Sequence, residues 1–182
     1  MIKKYLLFLI CVVLFVACTE TDPYAITDNS IGPLTKTTQL RDLEKVFEND
    51  SVINTERRSK YKGVGSPINI FEKNTGKKLL SIMPSNSADT SYIENIQIFD
   101  ERYKTAKGIS LKSTFKDITK NYTIKRIDNL IGAAVIFVNE SDAYFTIDKK
   151  LLPPDLMFDS DKKIEVNQIP DDTPIKYFMV GW

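Results

Sequence analysis

Two stretches of the chain, residues 37–47 and 113–122, have the spacing of amphipathic helices. In each stretch three apolar residues fall at positions i, i+3 and i+7, which places them on one face of a helix. Serine or threonine opens each stretch, where N-cap residues are favoured, and an aspartate lies in each first turn, where it suits the helix dipole. The apolar residues are Leu40, Leu43 and Phe47, then Phe115, Ile118 and Tyr122; the aspartates are Asp42 and Asp117.

Runs of β-branched and aromatic residues follow each predicted helix and predict a β-hairpin and a third strand. Residues rich in turn formers, 73–76 and 139–142, separate the two strands of each hairpin. The hairpin strands are Ile68–Phe71 with Lys78–Ile82, and Val135–Val138 with Ala143–Ile147. The third strands are Ile93–Ile98 and Ile164–Ile169, and a last buried strand runs from Ile175 to Val180.

These elements recur in the same order and predict an internal repeat. The helices align at an offset of 75 residues, and the third strands match in four of six positions at an offset of 71. The predicted fold is therefore α+β: two tandem helix–hairpin–strand repeats, residues 31–106 and 107–182, forming an antiparallel sheet with short helices packed on one side. The two repeats are expected to share one compact domain.

The first eighteen residues have the pattern of a lipoprotein signal peptide. Lys3 and Lys4 form a positive n-region, and residues 5–17 form an uncharged apolar run of a length typical of signal peptides. Residues 15–18, Phe-Val-Ala-Cys, resemble the bacterial lipobox, although leucine is usual in place of Phe15. The resemblance implies a signal peptide over residues 1–17, acylation of Cys18, and a tether over residues 18–30.

Composition removes several classes of function. The formal net charge of +1 falls to −1 once Lys3 and Lys4 are cut off, so no basic surface suggests a nucleic-acid partner. The chain has no histidine, and Cys11 and Cys18 are its only cysteines. Ser–His and Cys–His nucleophile pairs and the usual zinc sites are therefore excluded, and we predict no cofactor and no metal. Catalysis by paired carboxylates or by a Ser–Lys pair remains possible.

Three segments resemble the RpoE-regulated lipoprotein family of Gram-negative bacteria, a domain of unknown function. They are residues 31–38, residues 93–100 and residues 105–117. The resemblance brings no catalytic or binding residue with it. More loosely, the tandem units are similar to the β-lactamase inhibitor protein and to the small lipoprotein of the outer-membrane barrel assembly machine. The first of these blocks an enzyme and the second scaffolds one, and fold likeness does not choose between them.

Several polar groups are candidate sites, each with a simpler structural interpretation. Asp159, Ser160 and Asp161, with Asp155 and Glu165 nearby, are a weak candidate calcium loop that lacks EF-hand spacing. The carboxylate pairs Asp100–Glu101 and Asp171–Asp172 are expected to be loop ends. The basic run Arg57–Lys62 is a candidate contact with anionic lipid or a solvated loop, and Trp182 is expected to pack on the sheet edge.

The sequence therefore predicts a non-catalytic envelope lipoprotein, tethered to the outer membrane through Cys18, on its periplasmic face or at the cell surface. Its expected partner is another envelope protein that it binds or scaffolds. The alternative is a periplasmic inhibitor of a hydrolase, with Asn139–Asp142 or Asp171–Asp172 as the inhibitory loop. A pocket for a small ligand also remains open.

Overall fold

A computed structural model describes residues 22–54, 66–86, 88–157 and 161–182. The described residues form a small sheet and a larger one. The small sheet has the order β3-β2-β1-β8, in which β8 runs parallel to β1 and the other neighbours are antiparallel. Its strands are β1 (Ala25–Ile26), β2 (Ser30–Ile31), β3 (Leu34–Thr35) and β8 (Lys104–Thr105).

The large sheet has eight strands, all antiparallel to their neighbours, in the order β4-β5-β6-β7-β12-β11-β10-β9. The first four strands come from one half of the chain and the last four from the other, so β7 and β12 meet at the centre. The strands are β4 (Asp50–Asn54), β5 (Ile68–Glu72), β6 (Lys78–Pro84), β7 (Ile93–Ile98), β9 (Ile124–Leu130), β10 (Ala133–Val138), β11 (Ala143–Asp148) and β12 (Tyr177–Gly181).

The helices are short. Three are α-helices and three are 3₁₀ turns in the part of the chain that the structure describes. They are α1 (Leu43–Val46), α2 (Phe115–Asn121) and α3 (Pro154–Met157), with 3₁₀ turns at Leu40–Asp42, Lys149–Leu151 and Val166–Gln168. The α+β prediction is confirmed, and so are both hairpins and the last strand. Strands β4 and β9 were not predicted, and with them each half contributes four strands to the large sheet.

The predicted third strand at Ile164–Ile169 is wrong. Its middle forms the 3₁₀ turn at Val166–Gln168, and β12 takes the position equivalent to β7. Ile164 and Ile169 are buried, which explains the apolar pattern, but they anchor a loop to the core and do not pair with a strand. The sequence match to Ile93–Ile98 is therefore a likeness of burial pattern and not of structure.

Backbone contacts show which positions of the two halves correspond. Gln39 forms an isolated bridge with Tyr92, directly before β7, and Thr114 forms one with Pro174, shortly before β12. The next backbone N–H in each half, at Leu40 and at Phe115, donates to the loop before the final strand, at 3.2 and 2.8 Å. Each helix is thus tied to the last strand of its own half in the same way.

One continuous apolar row crosses the large sheet and forms the centre of the core. Eight residues lie side by side on successive strands, and the six inner ones are buried. The buried side chains of the helices, Leu43, Phe115, Ile118 and Leu156, belong to the same core, as predicted for short helices packed on one side. The row is Val52, Ile70, Leu80, Ile98, Phe178, Phe145, Ile136 and Ile127.

The amino-terminal residues that the structure describes are folded. Residues 25–31 form β1 and β2, so most of the described part of the predicted tether belongs to the small sheet. Tyr24 packs edge-to-face against Tyr103, with ring centroids 5.1 Å apart. The chain between Cys18 and the folded unit is therefore shorter than the sequence suggested.

Candidate functional site

The large sheet has a second face that no helix among the described elements covers. We call it the open face; the side chains of its central row are half-buried or exposed, although several of them are apolar or aromatic. Its central row runs from β9 to β4 in the register of the strand pairs. The row is Arg126, Phe137, Tyr144, Met179, Gln97, Ser81, Asn69 and Ile53.

Arg126, Phe137 and Tyr144 form a layered stack at the β9 end of the open face. The guanidinium carbon of Arg126 lies 3.6 Å from the centroid of the Phe137 ring, and the Phe137 and Tyr144 rings stack with centroids 5.2 Å apart. Asp128 accepts a 3.0 Å hydrogen bond from Nε of Arg126. The cation is thereby held over the ring in one orientation.

The hydroxyl of Tyr144 is fixed as well. It donates a 2.9 Å hydrogen bond to Oδ1 of Asn95 on the central strand β7. Burial raises the pKa of Tyr144 above its usual value, so the group stays a neutral donor near neutral pH. The stack is therefore ordered before any partner arrives, which lowers the entropy cost of binding.

A depression of about 520 Å³ lies over this stack. Its floor is formed by the aromatic rings and by Val135, and the β10–β11 turn borders it through Ser141 and Asp142. It opens broadly to solvent and does not enclose a volume, whereas small-molecule sites bury most of their ligand. Its shape suits a segment of another protein.

A second depression, of about 420 Å³, lies between the small sheet and the first strands of the large one. Tyr24, Tyr103 and Asp50 line it. Burial raises the pKa of Asp50, and the nearby Glu72 carboxylate raises it further. Burial also raises the pKa of the Tyr103 hydroxyl. No hydrogen bond from Asp50 to a nucleophile or to a second acid is present among the described side chains.

Asp100 is the most buried carboxylate that the structure describes and is the centre of an ion-pair network beside this depression. Its side chain has no exposed surface. Nε and Nη2 of Arg102 donate to it at 3.1 and 2.7 Å, and Nζ of Lys77 lies 3.2 Å away. Burial alone would raise its pKa, but these hydrogen bonds lower the pKa of Asp100 to about 2. A carboxylate so fully paired is a structural anion.

The carboxylate pairs predicted from the sequence do not come together. Glu101, next to Asp100, is exposed and pairs with Lys112 at 2.5 Å. Asp171 pairs with Lys116 at 2.9 Å, and Asp172 is exposed at the surface. The expectation that these residues end loops agrees with their positions, except that Asp100 is buried.

The candidate calcium loop lies only partly within the described residues, because 159 and 160 fall outside them. Nζ of Lys162 lies 2.5 Å from Asp155, and Nζ of Lys163 lies 2.9 Å from Glu165, so lysines already occupy these carboxylates. In the described ranges no group of three or more acidic, histidine or cysteine side chains is placed to hold a metal ion.

Of the remaining candidate positions, some lie within the described residues and some lie outside them. Cys18 and the basic run Arg57–Lys62 lie outside the described residues. Trp182, expected on the sheet edge, instead follows the central strand β12 and packs half-buried against the core. Its backbone N–H donates to the carbonyl oxygen of Glu94 at 2.8 Å. In the β10–β11 turn Asp142 pairs with Lys36 at 2.6 Å. Where the structure describes the chain, it contains no helix of the length and hydropathy that crossing a bilayer requires.

Sequence reasoning missed the open face, although the strands carried a signal for it. A strand with one solvated face is expected to alternate apolar and polar residues. In Val135–Val138, and at Tyr144 and Met179, the outward positions are apolar as well. When helices cover only one side of a sheet, a strand that is apolar at both its inward and its outward positions indicates a second contact surface.

Comparison with known proteins gives a fold and no activity. No family model matches the chain, and no curated protein matches it. The crystal structure of the uncharacterized protein YfeY from Escherichia coli is similar, with a TM-score of 0.56 and 10% sequence identity. The match covers 87% of this chain and 99% of that chain. At this identity the likeness shows a shared fold alone.

Proposed function

We propose that this chain is an envelope lipoprotein, cut before Cys18, acylated there and anchored in the outer membrane. The support is the signal-peptide pattern of residues 1–17, the lipobox ending at Cys18 and the sequence resemblance to RpoE-regulated lipoproteins. Thr19 after the cysteine, in place of aspartate, favours the outer over the inner membrane. The likeness in fold to YfeY is compatible with this assignment.

The proposed molecular role is non-catalytic binding of another envelope protein by the open face. One observation carries it: Arg126, Phe137 and Tyr144 form an ordered stack on a solvent-facing sheet surface. Aromatic residues, methionine and arginine are enriched in protein interfaces, and tyrosine and arginine are common hot spots. Met179 continues the same row.

An enzymatic role is less well supported. Of the two carboxylates at the second depression, Asp100 is fully paired with Arg102 and Lys77, and Asp50 makes no hydrogen bond to a nucleophile among the described side chains. Catalysis by paired carboxylates needs two such groups flanking one substrate position. The arrangement therefore favours binding over catalysis.

Inhibition of a hydrolase is the second candidate. The observation in its favour is that the β10–β11 turn, with Ser141 and Asp142, borders the same depression as the stack. A loop of a target enzyme seated on the open face would contact both. The ion pairs of Asp142 and Asp171 count against a freely protruding inhibitory loop.

Photo-crosslinking in intact cells tests the open face. A photoreactive phenylalanine analogue replaces Phe137 or Tyr144, and the control replaces Tyr92, which is exposed and does not line the depression. We expect one defined protein to be trapped from positions 137 and 144 and not from 92. Equal trapping at all three positions, or none at 137 and 144, would contradict the proposal.

Alanine variants of the same positions distinguish scaffold from inhibitor. We expect F137A and Y144A to release the trapped partner while Y92A retains it. If the partner is a peptidoglycan or β-lactam hydrolase, its activity is measured with the purified protein present. Inhibition that is lost in F137A assigns the inhibitor role; unchanged activity in a stable complex assigns the scaffold role.

A further inference from the structure

The turn between β9 and β10 carries an apolar residue where polar residues or glycine are usual. Leu130 pairs with Ala133, so Ile131 and Gly132 form a two-residue turn. Gly132 has φ +79°, which supplies the left-handed conformation that the turn needs. Ile131 is 95% exposed, and hairpin turns of this length favour asparagine, aspartate or glycine. The exposed isoleucine therefore serves no evident purpose in forming the turn.

Other exposed apolar side chains lie at the same end of the sheet. The 3₁₀ turn after β11 is joined to this hairpin, since the Lys149 N–H donates to Gly132 O at 3.3 Å. Leu151 in that turn is 48% exposed, and Tyr177, which begins β12 at this end, is 44% exposed. With Leu130, at 52%, these side chains are half of the large exposed apolar residues in the described chain. We call Leu130, Ile131, Leu151 and Tyr177 the apolar end surface.

Two lysines around the apolar end surface are paired with carboxylates. Lys176 pairs with Asp148 at 2.9 Å, and Lys162 pairs with Asp155 at 2.5 Å. The side-chain amide of Asn129 on β9 donates to the Lys162 carbonyl at 2.6 Å, which places residue 162 beside the hairpin. These two lysines are neutralised by carboxylates, whereas Lys150, next to Leu151, is exposed.

The described chain begins at the same end of the strands, on the half of the large sheet formed by β4–β7. Strand β7 ends at Ile98, and β12 begins opposite that point because Phe178 pairs with Ile98. Tyr24 packs on Tyr103, which follows shortly after the end of β7. Cys18 lies four residues before Asp22, a separation of at most about 14 Å for an extended chain. An acyl anchor on Cys18 would therefore bring this end of the sheet to the bilayer.

We propose that the apolar end surface is a second membrane contact, inserted at the headgroup–acyl boundary of a phospholipid bilayer. The inference rests on the proposed acylation of Cys18, which holds the surface near the lipid. Isolated apolar side chains at interfacial depth are stabilised by burial in the same way as the apolar face of an interfacial helix. The contact sets the strands upright, with the β10–β11 turn directed away from the bilayer.

Single-cysteine fluorescence tests the contact. Once the signal peptide is removed and Cys18 is acylated, the mature chain has no other thiol. A polarity-sensitive fluorophore on I131C or L151C is compared with the same label on N139C, at the opposite end of β10. The acylated proteins are reconstituted in vesicles of phosphatidylethanolamine and phosphatidylglycerol, or of phosphatidylcholine, with spin-labelled lipids as quenchers.

We expect blue-shifted emission and several-fold stronger lipid quenching at 131 and 151 than at 139 in both vesicle types. Three results would overturn the inference. They are quenching at 131 no greater than at 139, equal strong quenching at all three positions, or a label shielded from water but not reached by lipid quenchers. The last result would indicate a protein contact instead.

The anchor is checked separately in the same preparation. The wild-type protein is treated with the thiol label, and its intact mass is measured. A labelled Cys18 or an unmodified mass means that the proposed lipoprotein processing has failed. An acylated mass with no lipid quenching at 131 means that the second contact alone has failed.

Discussion

Both Nε and Nη2 of Arg102 donate hydrogen bonds to the fully buried carboxylate of Asp100, at 3.1 and 2.7 Å. Arg102 follows Asp100 by two residues in the chain. The same Nη2 lies 2.7 Å from Glu72, and the guanidinium lies 4.3 Å from the ring centroid of Tyr24. One side chain thereby joins the end of β7, the β5–β6 hairpin and the amino-terminal segment. Arginine suits this place because its planar fork pairs with carboxylates and stacks on rings at the same time.

Removing the Asp100 charge is expected to destabilise the protein by about 2 kcal/mol or more, because D100N leaves Arg102 and Lys77 without their shared anion. The matched control is E101Q, next along the chain. Glu101 is exposed and its pair with Lys112 lies at the surface, so the expected cost is below about 0.5 kcal/mol. Urea unfolding at neutral pH measures the free energy of unfolding of both variants. Equal losses would show that the buried ion pair contributes no more to stability than the surface pair.

The same carboxylate predicts a pH dependence. Its pKa is about 2 in the folded protein against 3.8 for the ordinary group. Because the folded pKa is depressed, the stabilisation is fully present above about pH 5 and is lost as the pH falls through about 4 to 2. The loss amounts to roughly 2 kcal/mol at 1.36 kcal/mol per pKa unit. The stability difference between wild type and D100N should shrink over this window; a difference independent of pH would refute the assignment.

R102K is expected to loosen the amino-terminal segment selectively. Lysine keeps one ion pair with Asp100 but loses the two-point grip and the stacking on Tyr24. Hydrogen exchange by mass spectrometry should show faster exchange in residues 22–35 with little change in β10 and β11. Uniformly faster exchange would instead mean global destabilisation, and unchanged exchange would mean that Arg102 does not hold this segment.

Two aspartates at equivalent repeat positions should differ in their effect on stability. Asp117 accepts a 2.8 Å hydrogen bond from the N–H of Thr114, the N-cap of α2. Asp42 precedes α1 and makes no side-chain cap bond. D117A is expected to cost about 1 kcal/mol and D42A less than about 0.5 kcal/mol. Thermal unfolding of the two variants checks this, and equal shifts in Tm would contradict it.

The centre of the sheet should be sensitive to cavities. Phe145 and Phe178 are buried, and their rings pack with centroids 5.1 Å apart across β11 and β12. F178A is expected to cost about 3–5 kcal/mol. Tyr177, the preceding residue, is exposed, and Y177A should cost less than about 1 kcal/mol. Denaturant unfolding measures both costs, with midpoints compared at an unchanged m-value. A small cost for F178A would mean that the packing of β12 on β11 contributes little to stability.

The sequence by itself determined the features that depend on local periodicity and on residue inventory. The stripe containing Phe115 and Ile118 specifies a helix, and the runs around Phe137 and Phe145 specify a hairpin, because the patterns have the periods of those elements. The absence of histidine excluded whole classes of chemistry before any fold was known. Strand β9 was missed because its burial does not alternate cleanly.

Only the tertiary structure decided which strands meet and which polar groups are buried. The choice of β12 and not Ile164–Ile169 as the partner of β7 depends on long-range pairing, and an apolar loop anchor has the same local pattern as a strand. Asp100 and Glu101 are adjacent acids in the sequence, yet one is a buried ion-pair centre and the other is solvated. The open face and the apolar end surface exist because eight strands in this order are covered by helices on one side, a property of the assembled sheet and not of any segment.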